Sequence, residues 1–309
     1  MQRFGAFGVA AGLAALLLAA SGSAMAAPPH VITPAALGAN TFSESFQRLD
    51  WGEDDPPGRA PHRWRTVLGY GGENSEYNRT QSRDDIYVDP DFPGVTPGGE
   101  LGPKALGLNP FSVRPGAGLA ITASPTPAAL RPLLFGRPYM SGMLTTRFSF
   151  QQTYGYFEVR AQLPRGQGLW PAFWMLPVPG GSSPAGTELD VFEQLGRQPH
   201  AVFCTLHYQG RTWFWLPKMK YWEKRVPTAF DVTAGFHTYG VAWGRDEIAW
   251  YVDRREVCRQ PTPEGMDQPM YLLLDLAVGG PWSGSPNATT RFPASMLVSG
   301  VNVWRLKGG

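Results

Sequence analysis

The chain has 309 residues, of which 43% are hydrophobic, 17% charged and 13% aromatic, with 11 Trp and a formal net charge of +2. Its 37 Gly and 30 Pro fill about a fifth of the positions, against roughly 12% in an average chain, which excludes a coiled coil or helical bundle, while the aromatic content excludes a disordered chain. So small a net charge gives no electrostatic footprint for nucleic acid, and a turn-rich, all-β globular protein remains.

At the N-terminus, Arg3 precedes an apolar run from Phe7 to Ala20, and Ala24-Met25-Ala26 has the small-residue pattern of a cleavage site. This predicts a signal peptide over residues 1–26 and a secreted or periplasmic mature domain over 27–309. The run is broken by Gly and Ser before it reaches the ~20 apolar residues of a bilayer span, so no membrane association is expected after cleavage. In an oxidising compartment Cys204 and Cys258 can pair as a disulfide. Both sit in predicted strands, 202–208 and 255–259, so they can equally be two small buried hydrophobes.

Alternating apolar and polar residues predict strands at 41–46, 85–88 and 119–123. Between the last two lies a Gly/Pro-rich stretch, 89–115, without periodicity; a loop of that length is expected to be functional or locally packed. From residue 141 strands follow closely, at 143–150, 155–163, 169–176, 187–193, 202–208, 237–243, 248–253, 255–259, 270–278 and 298–306. Short strands separated by Gly, Pro and Asp turns indicate a β-sandwich or barrel with few helices. The turn at Asp253-Arg254 requires positive φ and strains Arg254.

The sharpest local feature is Glu188-Leu189-Asp190-Val191-Phe192-Glu193. In a regular strand Glu188 and Asp190 share one face, and Glu193 falls on the other with Leu189 and Val191. An unpaired carboxylate in the core is expensive. A β-bulge at Val191-Phe192 removes the conflict, because one extra residue returns Glu193 to the face of the other two acids. Three crowded acids suit chemistry; the competing readings are a solvated polar face or a calcium site built from the same oxygens.

Aromatic residues surround that strand in sequence. Trp170, Ala172 and Trp174 share a strand face just before it, and His207, Tyr208, Trp213, Trp215, Trp222 and Trp282 follow. About half of these are expected in the core. Aromatics beside acids with little positive charge suit a sugar chain, whose rings offer apolar faces for stacking and hydroxyls for hydrogen bonds. His207 alone reads as a hydrogen-bonded packing residue.

The Glu188-x-Asp190-x-x-Glu193 pattern resembles glycoside hydrolase family 16, in the bulged form of laminarinases and related β-glycanases. Asn74-Ser75-Glu76-Tyr77, the stretches 154–160, 168–176, 205–208 and 236–253, and Ala277-Val278-Gly279-Gly280-Pro281-Trp282 are similar to family segments in the same order. The phrase at 108–113 is similar to bacterial members that cut exopolysaccharides. The resemblance implies a β-jelly-roll sandwich of two antiparallel sheets with a concave substrate cleft. It implies Glu188 as nucleophile, Glu193 as acid/base and Asp190 as the group between them, with Trp174, His207, Trp170, Trp282 and Asn74 as substrate contacts. Calcium-binding members often have Asp near the last strand where this chain has Ser299-Gly300, so no cofactor and no structural calcium are expected.

A retaining glycosidase holds its two carboxyls about 5–5.5 Å apart, an inverting one about 6.5–9.5 Å apart. Glu188 and Glu193 on one strand face fit the shorter separation. The expected partner is a β-linked polysaccharide: a β-1,3- or β-1,3-1,4-glucan or a bacterial exopolysaccharide, cut internally by double displacement. A transglycosylase on the same fold and a lectin-like carbohydrate-binding module are the alternatives.

Overall fold

Alternating side chains punctuated by Gly and Pro fold into sixteen strands within residues 30–52, 61–66, 83–179, 184, 186–211 and 217–307, the part of the chain that the computed structural model describes. Strands β1 (Leu37–Glu44), β2 (Asp85–Tyr87), β3 (Phe111–Arg114), β4 (Gly118–Pro125) and β5 (Tyr139–Ser141) begin a larger sheet. Strand β6 (Met143–Thr145) starts a smaller one, and β7 (Gly155–Gln162) returns to the larger. Then β8 (Leu169–Pro177), β9 (Glu188–Glu193), β10 (Ala201–Arg211) and β11 (Pro217–Pro227) run consecutively through the smaller sheet. A meander of β12 (His237–Trp243), β13 (Glu247–Val252) and β14 (Arg255–Pro261) widens the larger sheet, β15 (Met270–Val278) rejoins the smaller, and β16 (Ala294–Leu306) completes the larger.

The smaller sheet has the order β11-β10-β9-β8-β15-β6 and is antiparallel throughout. The larger has the order β14-β13-β12-β7-β16-β4-β5-β2, with β1 beside β16 and β3 beside β4; its one parallel pair is β2 with β5. Together they form the antiparallel jelly-roll sandwich expected from the sequence. The inner faces meet in a core where Phe157, Val159, Val241 and Val301 oppose Phe173, Met175, Leu189 and Leu206. Period-two alternation then turns Trp170, Ala172 and Trp174 of β8 to the outer face of the smaller sheet.

Cys204 of β10 and Cys258 of β14 are bonded as a disulfide, with Cα atoms 6.7 Å apart. Both are also buried in the core, and the bridge ties the two sheets together. The Asp253-Arg254 turn has φ of 48° and 61°. Bidentate hydrogen bonds of 2.8 and 2.9 Å from Arg254 to Glu158 offset the strain expected there.

Three differences from the sequence reading have physical causes. The strand expected over 143–150 stops at Thr145, because the Thr146 carbonyl accepts the N–H groups of Ser149 and Phe150 and turns the chain. The 89–115 stretch contains β3 near its end, and Phe92, Val95 and Leu106 pack with Ile86, Val88 and Leu134 in a satellite core. Strand β11 escapes notice because Lys218, Lys220, Glu223, Lys224 and Arg225 give it the composition of a loop; charge is what an edge strand tolerates and a central one does not. Among the described residues the only helical segments are two 3-10 turns, Pro34–Ala36 and Ala128–Leu133.

Candidate active site

The register of β9 puts its three acids on one face. Against β8, Ala172 pairs with Glu193, Phe173 with Phe192 and Trp174 with Asp190, so Val191 is skipped. Against β10, Phe203 pairs with Glu193 and Thr205 with Asp190, two steps opposite three. That is a one-residue bulge at Val191-Phe192. Leu189, Val191 and Phe192 all enter the core, while Glu188, Asp190 and Glu193 line a single cavity on the outer face. From β13 of the opposite sheet, Trp250 Nε1 donates a 2.6 Å hydrogen bond to the Asp190 carbonyl, supplying a donor beside the interrupted ladder.

Each acid has a distinct environment. Glu193 is buried and accepts hydrogen bonds from Thr205 Oγ1 at 2.5 Å and Trp170 Nε1 at 3.1 Å. Burial, and then the Glu188 charge, push its pKa up to about 8 against the pull of those donors. Burial raises Glu188 to about 7, with a hydrogen bond from Asp190 acting in the opposite direction and Asp275 adding to the rise. Asp190 is held well above the ordinary carboxylate range by burial and by its two acidic neighbours. All three carboxyls are thus held above the ordinary carboxylate range, and the Asp190 hydroxyl donates a hydrogen bond to Glu188.

A fourth acid faces the same cavity. Asp275, on β15, accepts hydrogen bonds from Trp174 Nε1 at 2.6 Å and from the Tyr87 hydroxyl; the Arg83 guanidinium lies 4.4 Å from the Tyr87 ring centroid and donates to its hydroxyl. The sequence reading missed Asp275, Tyr87, Arg83 and Thr205. One signal was present for Asp275: it is the sole polar residue besides Tyr271 in Met270–Val278, and a lone acid in an apolar strand demands buried partners. Tyr87 and Arg83 come from a distant segment and carry no local signal.

The expected substrate contacts divide. His207 sits opposite Glu188 in the register, and atoms of Glu188, Asp190 and His207 lie within 4.8 Å of one another. Burial lowers the His207 pKa, keeping the imidazole neutral near pH 7. Trp174 lines the cavity but is only 5% exposed; with its N–H fixed on Asp275 it forms a buried wall. Trp170 is partly exposed and holds Glu193, and Trp282 packs edge-on against Trp170 at 5.0 Å and Phe203 at 4.8 Å. Trp222 packs on Trp250 inside the sandwich. Asn74, Trp213 and Trp215 lie outside the described residues.

Glu188, Asp190 and His207 are close enough to hold a cation. At the last strand Ser299 Oγ accepts a hydrogen bond from Arg160 and Gly300 has no side chain, so these positions offer no carboxylate to calcium.

The profile of Glycosyl hydrolases family 16 matches residues 112–294. The chain is 43% identical over 202 residues to the endo-1,3-1,4-beta-glycanase ExsH of Rhizobium meliloti, covering 64% of this chain and 40% of that protein. It is 39% identical over 186 residues to a beta-glucanase of Rhodothermus marinus, covering 55% of this chain and 64% of that protein. The match thus spans about two fifths of the first relative and under two thirds of the second. The fold is similar to the laminarinase catalytic domain of Thermotoga maritima, with a TM-score of 0.65 and 26% identity over 86% of this chain and 98% of that one.

Proposed function

The chain belongs to glycosyl hydrolases family 16, and on that premise we propose that it is an exported, endo-acting retaining β-glucanase that cleaves β-1,3- or β-1,3-1,4-linked glucan by double displacement. The observation that carries the reading is the bulge at Val191-Phe192, which brings Glu193 to the cavity of Glu188 and Asp190. The names of the relatives support the linkage class. The Cys204–Cys258 disulfide supports export to an oxidising compartment.

In this reading a sugar enters the cavity with its anomeric carbon above Glu188. The ionised Glu188 carboxylate attacks that carbon while the Glu193 proton moves to the glycosidic oxygen, so the C–O bond breaks and the leaving chain departs as an alcohol. The product of this step is a glycosyl ester on Glu188 with Glu193 ionised. Loss of the Glu188 charge removes the repulsion that held the Glu193 proton. Glu193 then takes a proton from water, whose oxygen attacks the same carbon and releases Glu188 as carboxylate. Two inversions give net retention. Asp190 donates a hydrogen bond to the ionised Glu188 carboxylate before attack, and the Glu188 charge keeps the proton on Glu193 until the ester forms.

The test is purified protein against a panel of β-1,3-glucan, mixed-linkage β-glucan, galactan and bacterial exopolysaccharide. Viscosity and reducing ends should show internal cleavage of a glucan, and NMR should show the β-anomer forming first. An α-anomer formed first overturns retention. Failure to release reducing ends from any glucan overturns the substrate class.

A further inference from the structure

We propose that Tyr221, on the edge strand β11, is a sugar-stacking subsite for a neutral glucan chain beyond the ring held at the acids, with Met219 as its apolar flank; the identity of the ligand rests on the glucanase reading above.

The register carries the placement. Glu188 pairs with His207 and His207 pairs with Tyr221, and residues directly opposite across antiparallel strands stand on the same face. The three form one row across β9, β10 and β11 on the cleft side. The other parity of β11 confirms the direction, because Trp222 packs on Trp250 and Val226 joins the core. Two strand spacings of ~4.8 Å put β11 ~10 Å from β9, past the sugar that meets the acids.

The surface there is apolar without structural return. Tyr221 is 70% exposed and Met219 44% exposed, two of the six large exposed hydrophobics among the described residues, and both stand on the cleft face of one strand. Lys218 and Lys220 occupy the opposite parity, where charge protects the sheet edge. Met219 and Tyr221 therefore share the cleft face of β11 with Glu223. The His207 ring is inclined 29° to that of Tyr221, with centroids 6.2 Å apart, so the two rings make a continuous aromatic floor leading to Glu188. Beside them Glu223 pairs with Thr205 on the same face, a carboxylate able to accept from sugar hydroxyls.

The experiment compares Tyr221→Ala and Tyr221→Trp with the unmodified enzyme on polymeric glucan and on an aryl glycoside too short to reach β11. In parallel, calorimetry measures binding of a long β-glucan oligosaccharide to Glu188→Gln and to Glu188→Gln/Tyr221→Ala. Loss of stacking should raise KM for the polymer and weaken oligosaccharide binding by about three- to tenfold, with a smaller effect on the short substrate and with Tyr221→Trp retaining binding. Equal losses on long and short substrates overturn the subsite, as does unchanged affinity or the absence of any glucan binding. If the unmodified enzyme cuts no polysaccharide but binding still falls with Tyr221→Ala, the subsite stands and the hydrolase reading fails.

Discussion

Trp174 Nε1 donates a 2.6 Å hydrogen bond to Asp275, so the indole that walls the acid cavity takes its orientation from a carboxylate on β15. With the Tyr87 hydroxyl as second donor, Asp275 is the point where three segments of the chain meet. Asp275→Ala takes the carboxylate acceptor away from the buried Trp174 N–H and breaks the contact with Tyr87, at about 1–3 kcal/mol per buried donor left unsatisfied, and thermal unfolding should show a large loss of stability. Asp275→Asn keeps an acceptor and removes a negative charge beside Glu188; its pH–rate profile should extend to lower pH on the acid side. A profile that does not move separates Asp275 from the titration of Glu188.

Trp174→Phe provides the complementary test. It preserves most of the ring volume and removes only the N–H, so the fold should persist while turnover drops. Trp174→Ala is a different experiment, since truncating a buried indole costs about 3–5 kcal/mol and should show mainly as unfolding. If circular dichroism finds Trp174→Phe unfolded as well, the contact with Asp275 is structural and says nothing about the cavity.

The two outer acids should fail in different ways. Glu188→Ala should abolish hydrolysis, and added azide should restore a glycosyl azide of inverted configuration, because the anion attacks from the vacated face while Glu193 still supplies its proton. Glu193→Ala should lose about 10²- to 10⁴-fold on glucan, yet largely spare the first step on aryl glycosides whose leaving group needs no proton. Azide rescue with retention, or equal loss on both substrate types, reverses the assignment.

Activity should be bell-shaped in pH. In the proposed double displacement Glu188 acts ionised and Glu193 protonated, so kcat/KM should rise as pH passes about 7 and fall as it passes about 8. Stability has the opposite slope. Both folded pKa values lie above those of the unfolded carboxyls, so the folded state binds more protons and loses stability as pH rises from the ordinary carboxylate range through the raised values. Thermal melts should show the protein more stable near pH 5 than near pH 8.5, and Glu188→Gln/Glu193→Gln should flatten that difference. A double variant with an unchanged slope locates the titration elsewhere.

The Cys204–Cys258 bridge closes a loop with a sequence separation of 54, for which chain entropy gives about 4 kcal/mol of stabilisation. Cys204→Ser/Cys258→Ser should lower the melting temperature accordingly, and reductant should shift the unmodified protein in the same direction. Because Cys204 adjoins Thr205, the donor to Glu193, activity measured below the melting temperature should also fall. Full activity at that temperature would mean that the sheet pairing alone holds Thr205.

The sequence by itself determined what depends on near neighbours. Period-two alternation identified most strands, and the parity of Glu188, Asp190 and Glu193 against Leu189 and Val191 was enough to require a bulge, because a regular strand would have put a carboxylate into the core. Family resemblance added the sandwich and assigned roles to those acids. Tertiary structure decided everything that depends on which strand lies beside which. It chose disulfide over free thiols for Cys204 and Cys258, withdrew Trp174 into a buried wall, and brought Asp275, Tyr87 and Thr205 to the acids from three other strands. It also turned the loop-like composition of β11 into a sheet edge that presents Tyr221 in line with Glu188. Parity is a property of consecutive residues, whereas register and burial arise from pairings between residues dozens of positions apart, and no local pattern encodes those.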